Sequence, residues 1–180
     1  MTMPCERKPS RLRGSSWVAE RGALADLHRH LDGSLRLSTV RELAASDGVS
    51  LPERLRFESG MGLDRALACF AVTLSLLQTP ARVERIAREI CEDAVAEGVT
   101  TLESRFAPQL HRGAEPAAIV DAALAGIAGR AGLILCGLYG EDPAVLDGLV
   151  DIAATRPGVV GIDIAGGPDG THDVKLADYA

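Results

Sequence analysis

The feature that most constrains this chain is a regular alternation of short apolar runs with longer stretches of helical periodicity, starting at Ala23. The residues predict strands over Ala23–His28, Val99–Phe106, Leu133–Leu138 and Val159–Ile164. Between them lie helical stretches at 38–46, 63–77, Pro80–Glu97, Pro116 to about Arg130, and Pro143 to about Ala154. The clearest is Pro80–Glu97: Thr79 is placed to cap it, Pro80 suits a first helical position and Gly98 a stop. Val83, Ile86, Ala87, Ile90, Ala94 and Val95 recur at the spacing of one buried stripe, and Ser38 reads as the cap of the 38–46 helix. Helices of this length are right-handed crossovers between parallel strands. Leu133–Leu138 and Val159–Ile164 lack polar alternation, as expected where both faces of a sheet are covered.

An α/β fold follows, either an open doubly wound sheet or a (β/α)8 TIM barrel. No G-x-G-x-x-G follows the first strand, which removes the main positive sign of a dinucleotide fold and favours the barrel. Only about four βα units are visible, a partial barrel with two unpaired strand edges. Such a chain is expected to aggregate, to self-associate through its open edges, or to stay partly molten.

At the end of the first strand stands Leu27-His28-Arg29-His30-Leu31-Asp32-Gly33. Side chains two residues apart on a strand share a face, roughly 6–7 Å apart at their bases, and two imidazoles so placed converge on one ion at ~2.0–2.1 Å Zn–N distances. Arg29 then points to the helical layer or to solvent. On spacing alone two readings stand: half of a metal site, or two surface histidines. Glu103 and Arg105 share a face at another strand end, as a structural ion pair or, alternatively, as an acid or a substrate clamp. Asp163 reads as a group supporting a metal ligand from behind, with a place in the pocket lining near the metal as the alternative. His111 and His172 fall in loops, and Gly166-Gly167-Pro168-Asp169-Gly170 reads as a βα loop because it lacks the Lys-Ser/Thr of a phosphate-binding loop.

Composition narrows the partners. A net charge of −6 and few aromatic residues disfavour nucleic acid. No run approaches the ~18 apolar residues of a membrane helix, and the N-terminus has no apolar stretch of a secretory signal. Four cysteines, Cys5, Cys69, Cys91 and Cys136, form no C-x-x-C pair; the last three sit in apolar surroundings as small core residues. A cytoplasmic, reduced protein is expected. Residues 1–22, with five basic side chains among Ser, Pro and Gly, read as a disordered tail, a basic arm for RNA being the sharper alternative.

The string Asp26-Leu27-His28-Arg29-His30-Leu31-Asp32-Gly33-Ser34-Leu35 resembles the opening motif of the adenosine deaminase family. The similarity continues through Leu77-Gln78-Thr79-Pro80, then Glu92-Asp93-Ala94 to Glu97-Gly98-Val99, then Glu103 to His111, which is similar to that family's E-x-R-[FY]-x-P stretch, and finally Gly161 to Gly166. It covers roughly residues 23–180. The resemblance implies a zinc-dependent (β/α)8 barrel that converts adenosine and water to inosine and ammonia. By it, His28 and His30 are zinc ligands, Asp32 bonds the ribose end of a purine nucleoside, and the backbone of Gly166 meets a purine ring nitrogen. Leu67 and Phe70 fall in the stretch similar to the family's apolar helix over the pocket mouth, with ordinary helix packing as the alternative. Gly167-Pro168 departs from the acidic pair many relatives carry there, which leaves the subfamily open.

The same resemblance implies groups this sequence does not contain: a third zinc histidine, a His-Ala-Gly-Glu glutamate, a later catalytic histidine and an Asp-Asp pair, all on strands five to eight. The general acid and base are thus expected beyond Ala180, and no catalytic residue is expected within residues 1–180. The single Zn2+ is therefore expected to be incompletely liganded, and the 180-residue chain to be inactive alone. Two alternatives remain: a non-catalytic purine-binding remnant, and another histidine-pair metal hydrolase such as a phosphoesterase. The small cytidine-type deaminase fold is disfavoured, since no H-x-E with P-C-x-x-C occurs.

Overall fold

The structure, a computed structural model, describes residues 23–56, 58–166 and 176–179. The predicted tail at 1–22, the stretch Gly167–Gly170, His172 and the last residue, Ala180, lie outside the described residues. The acid and base expected beyond Ala180 lie outside them as well. Four strands, β1 (Leu24–His30), β2 (Val99–Phe106), β3 (Gly132–Leu138) and β4 (Val159–Ala165), form one sheet in the order β1-β2-β3-β4. All three neighbouring pairs are parallel. The connections carry helices α1 (Leu37–Asp47), α2 (Leu63–Leu76), α3 (Pro80–Ala96), α4 (Pro116–Ile127) and α5 (Pro143–Ala154). This is the expected alternation, four βα units with β1 and β4 as the sheet's edges.

Punctuation in the sequence explains the boundaries. Proline opens α3, α4 and α5 at their first turns, where its missing N–H costs nothing. Asp142 caps α5 by accepting the Ala144 N–H at 3.0 Å. Two expected caps are corrected. Thr79 precedes α3 in an extended conformation but makes no side-chain capping bond. Ser38 lies inside α1, whose preceding residue is Arg36. The Arg36 guanidinium reaches across to Asp93 at 2.7 Å and Glu92 at 2.9 Å, so an inter-helix ion pair anchors this terminus in place of a hydroxyl.

The core lies between the sheet and its helices. Val83, Ile86, Ala87, Ile90 and Ala94 of α3 pack with Leu102 and Phe106 of β2, Leu133 and Leu135 of β3, and Ile119, Val120 and Ala123 of α4. Val95 departs from the predicted stripe and is exposed, because it follows Ala94 by one step of about 100° around the helix. Cys91 and Cys136 are buried, whereas Cys69 is only half-buried, lining a depression with Leu51, Met61 and Val72. Strand β3 is covered on both faces as expected. Strand β4 is not: Val160 and Ile162 are exposed, since a sheet edge has a neighbour on one side only.

One irregularity positions the site. Asp26 pairs with Leu102 and Arg29 with Ser104, so β1 advances three residues while β2 advances two, the signature of a bulge. Leu102, Ser104 and Phe106 are buried against the helices. Asp26 and Arg29 share that side, joined at 2.6 Å, and Arg29 also meets Glu97 just beyond α3, which places Arg29 toward the helical layer. His30 pairs with Arg105 and turns to the opposite, inner face.

Candidate active site on the C-terminal end of the sheet

His28 and His30 lie together, with ring centroids 5.3 Å apart. His28 is exposed and His30 half-buried. Burial, then the neighbouring His28 and Arg105 side chains, hold His30 below the usual histidine range, so its ring is neutral and has a free lone pair near pH 7. The Phe70 ring stands edge-on to His30 at 5.4 Å. Phe70 gets this close because Gly33 carries no side chain: a Cβ there would sit 2.6 Å from the ring. The role of Gly33 is invisible in a linear reading, since it depends on a helix 37 residues away.

Asp32 is buried, and its Oδ1 has no hydrogen-bond partner; His30 Nδ1 lies 3.9 Å from it. Burial pushes this carboxyl up to about 6. An orphaned buried acceptor is costly, which marks the group as one prepared for a donor from outside the chain. Gly166 follows β4 with φ 77, a left-handed conformation that lets the backbone turn where a side chain would strain it. His30, Asp32, Leu67, Phe70, Phe106 and Gly166 line one cavity of ≈ 440 Å³, within the size range of small-ligand sites. Of the six residues singled out in the sequence, His30, Asp32, Leu67, Phe70 and Gly166 border this space, and His28 stands beside it.

Arg105 pairs not with Glu103 but with Asp163, reaching from β2 over β3 to β4 on the inner face. Cys136 lies buried in the same cavity wall with its thiol pushed up to about 12, which makes it unreactive. His111 is buried away from the histidine pair; its Nδ1 meets the Leu77 carbonyl at 2.6 Å and its Nε2 has no partner.

The environment of His111 makes stability depend on pH. Burial, only partly offset by the Leu77 bond, holds its imidazole below the ordinary value. The unfolded chain therefore binds more protons than the folded one as pH falls through about 6.5. The stabilisation is complete above that pH and is lost below it, at a slope of up to about 1.4 kcal/mol per pH unit. Urea unfolding at about pH 7.5 and 5.5 checks this: replacing His111 with Gln is expected to remove about 1 kcal/mol of the acid-side loss. An unchanged pH dependence in the variant would refute the assignment.

The donor set fits zinc in part. Two imidazoles on one face suit two of the four positions zinc takes. Among the described residues no group of three or more His, Cys, Asp or Glu side chains is placed to hold a metal. A histidine pair at the C-terminal end of a first parallel strand, beside a buried acid and a cavity, defines a barrel of the kind that carries its chemistry at that end.

Comparison with known proteins narrows the class. The family model described as adenosine deaminase matches residues 23–180. A probable adenosine deaminase of Dictyostelium discoideum is 39% identical over 166 residues, covering 81% of this chain and 22% of the relative. The adenosine deaminase of Mycolicibacterium vanbaalenii is 39% identical over 175 residues, covering 83% and 48%. Among solved structures, the Arabidopsis N6-mAMP deaminase superposes with a TM-score of 0.70 at 26% identity, covering 81% of this chain and 51% of that one. An Arabidopsis ADAL complexed with IMP gives 0.73 at 25% identity, covering 87% and 52%. The chain belongs to the adenosine deaminase family, and its four βα units are part of a (β/α)8 barrel. It spans about half the length of most of these relatives.

Proposed function

We propose that this chain supplies the metal-pair half of a zinc-dependent site for hydrolytic deamination of adenosine or a related purine, yielding inosine and ammonia from adenosine and water. The observation that carries the reading is the convergence of His30, Asp32, Phe70 and Gly166 on one cavity beside His28. His28 and His30 hold the metal, which when bound supplies a water acidic enough to act as a nucleophile near neutral pH. Asp32 accepts a hydrogen bond from a ribose hydroxyl, satisfying its orphaned oxygen. The Gly166 backbone meets a purine ring nitrogen, and Leu67 and Phe70 shield the reacting ring from bulk water. Nucleotide complexes of the Arabidopsis ADAL with GMP and IMP support a purine as the ligand class.

Residues 1–180 alone bind but do not turn over. They include four histidines: His111 is committed to the core, and the pair is spent on metal, so no positioned general acid or base is evident among the described residues. Such a group is typically worth ~10²–10⁴ in rate. We assign it to sequence beyond Ala180, in keeping with the share of its relatives that the chain spans. The unpaired Cys69, Cys91 and Cys136 suit a reducing compartment, and we assign the protein to the cytoplasm. No helix of the described residues is long and apolar enough to cross a membrane.

Adenosine titrated into the purified chain with added zinc, with product analysed for inosine, tests both halves of the reading. The expected result is saturable binding without turnover, weakened about tenfold or more in Asp32→Ala, the loss expected of one hydrogen bond to a charged group. Robust inosine formation would overturn the claim of inactivity. Equal binding by Asp32→Ala would overturn the assigned cavity.

A further inference from the structure

Helix α2 lines two separate spaces. Leu67, Phe70, Ala71 and Leu74 border the cavity beside the histidine pair. Arg65, Ala68, Cys69 and Val72 border a depression of ≈ 490 Å³ completed by the loop that follows α1. Each set has the i, i+3, i+4, i+7 spacing of one helix face, and their centres are offset by about 200° around the axis. We propose that this depression is a binding site for a nucleoside phosphate, on the face of α2 opposite the candidate active site. The inference goes beyond the metal reading of the histidine pair and does not depend on it.

The first support is charge. Arg54 and Arg56 enter the depression from the loop, and Arg65 from α2. Glu58, a carboxylate in the same wall, meets Arg54 at 3.3 Å. Arg56 and Arg65 have no hydrogen bond or ion pair among the described residues. Elsewhere the chain commits its arginines to carboxylates: Arg29, Arg36, Arg82, Arg85 and Arg156 each hold one at 2.6 or 2.7 Å. At a net charge of −6 acids are not in short supply, so two unpaired guanidiniums beside one depression are a property of this place. Their planar forks match the oxygens of a phosphate.

The second support is the rest of the lining. Leu51, Pro52, Met61 and Val72 are apolar, and the Met61 thioether is a soft group of the kind that packs against an aromatic ring. Inorganic phosphate would leave that surface unused. A nucleoside phosphate lays its base there and its phosphate among the arginines, whose guanidiniums also stack on aromatic rings. The volume is that of a small-ligand site, and the chain's surplus of negative charge disfavours a nucleic-acid strand in its place.

Position separates this site from the purine cavity. Asp32 and Gly166, the groups assigned to the nucleoside there, do not border the depression, and Arg54, Arg56 and Arg65 do not border the cavity. Substitutions in one site therefore leave the lining of the other in place, and the two can be told apart in solution.

Calorimetric titration of the chain with AMP, ribose 5-phosphate and inorganic phosphate tests the proposal. AMP is expected to bind saturably, about tenfold or more tighter than either fragment, because it alone covers the apolar lining. Combining Arg56→Gln with Arg65→Gln is expected to weaken AMP at least about tenfold, the loss of a hydrogen bond to a charged group, and to leave adenosine binding unchanged. Both side chains are exposed and unpaired, so the fold survives, as circular dichroism will verify. Arg56→Lys with Arg65→Lys keeps the charge and is expected to retain part of the affinity. In Asp32→Ala, AMP binding is expected to persist with its dependence on the arginines. AMP binding that is absent, that is indifferent to the arginines, or that Asp32→Ala also abolishes overturns the proposal. Equal affinities for AMP and inorganic phosphate overturn the nucleoside part of it.

Discussion

Gly126→Ala is expected to destabilise the chain by about 3 kcal/mol, although alanine is the better helix former by about 1 kcal/mol. Gly126 sits where α4 crosses α3. A Cβ there would lie 2.1 Å from the Glu84 carbonyl oxygen and 2.8 Å from the Ala87 Cβ. Neither neighbour can swing away, since one is backbone and the other has no rotatable torsion to relieve it. The helices must separate, and Val83, Ile86, Ile119 and Ala123, all nearly inaccessible, lose contact with them. For a chain of this size each kcal/mol shifts Tm by about 2–4 °C, so thermal unfolding should fall by about 6–12 °C. A raised or unchanged Tm would show that propensity outweighs the contact.

Phe106→Ala carries a comparable cost, about 3–5 kcal/mol, the usual range for truncating a buried aromatic ring. Phe106 ends β2 with 1% of its surface exposed, stands edge-on to His111 at 5.4 Å, and forms part of the ≈ 440 Å³ cavity wall. Removing the ring joins the new void to that cavity and leaves His111 without its aromatic neighbour. Phe106→Leu restores most of the volume and is expected to lose less than about 2 kcal/mol. Denaturant unfolding of the pair measures the first effect. Adenosine binding measures the second, and should weaken more in Phe106→Ala than in Phe106→Leu. Equal stability of the two variants would place the ring outside the core.

Much of this architecture was legible because its signals are local. The bounds of β2 follow from Gly98 on one side and Pro108 on the other, and α3 is announced by Pro80 and a stripe of spaced apolar residues. Strand β3 is read from its continuous apolar run. The histidine pair is equally local, since two-residue spacing alone puts both rings on one side of a strand. What could not be read depends on contacts between distant segments. Arg105 finds its partner 58 positions away, on a strand two places across the sheet. Arg36 anchors α1 through α3, which no capping rule anticipates. The exposure of Val160 and Ile162 follows from strand order, not from their own apolar character.

The extra residue in β1 has a wider consequence. In a strand of unbroken alternation that kept Asp26 beneath the helices, positions 28 and 30 would follow it there, and the imidazoles would be spent inside the hydrophobic layer. The side to which this strand turns its two imidazoles is thus encoded as a phase as much as a pair of residue types. Identical letters half a period out of step would spell a core strand. An insertion or deletion among residues 24–30 is for that reason unlike one in a loop: it reassigns which chemistry faces inward without changing a single functional side chain.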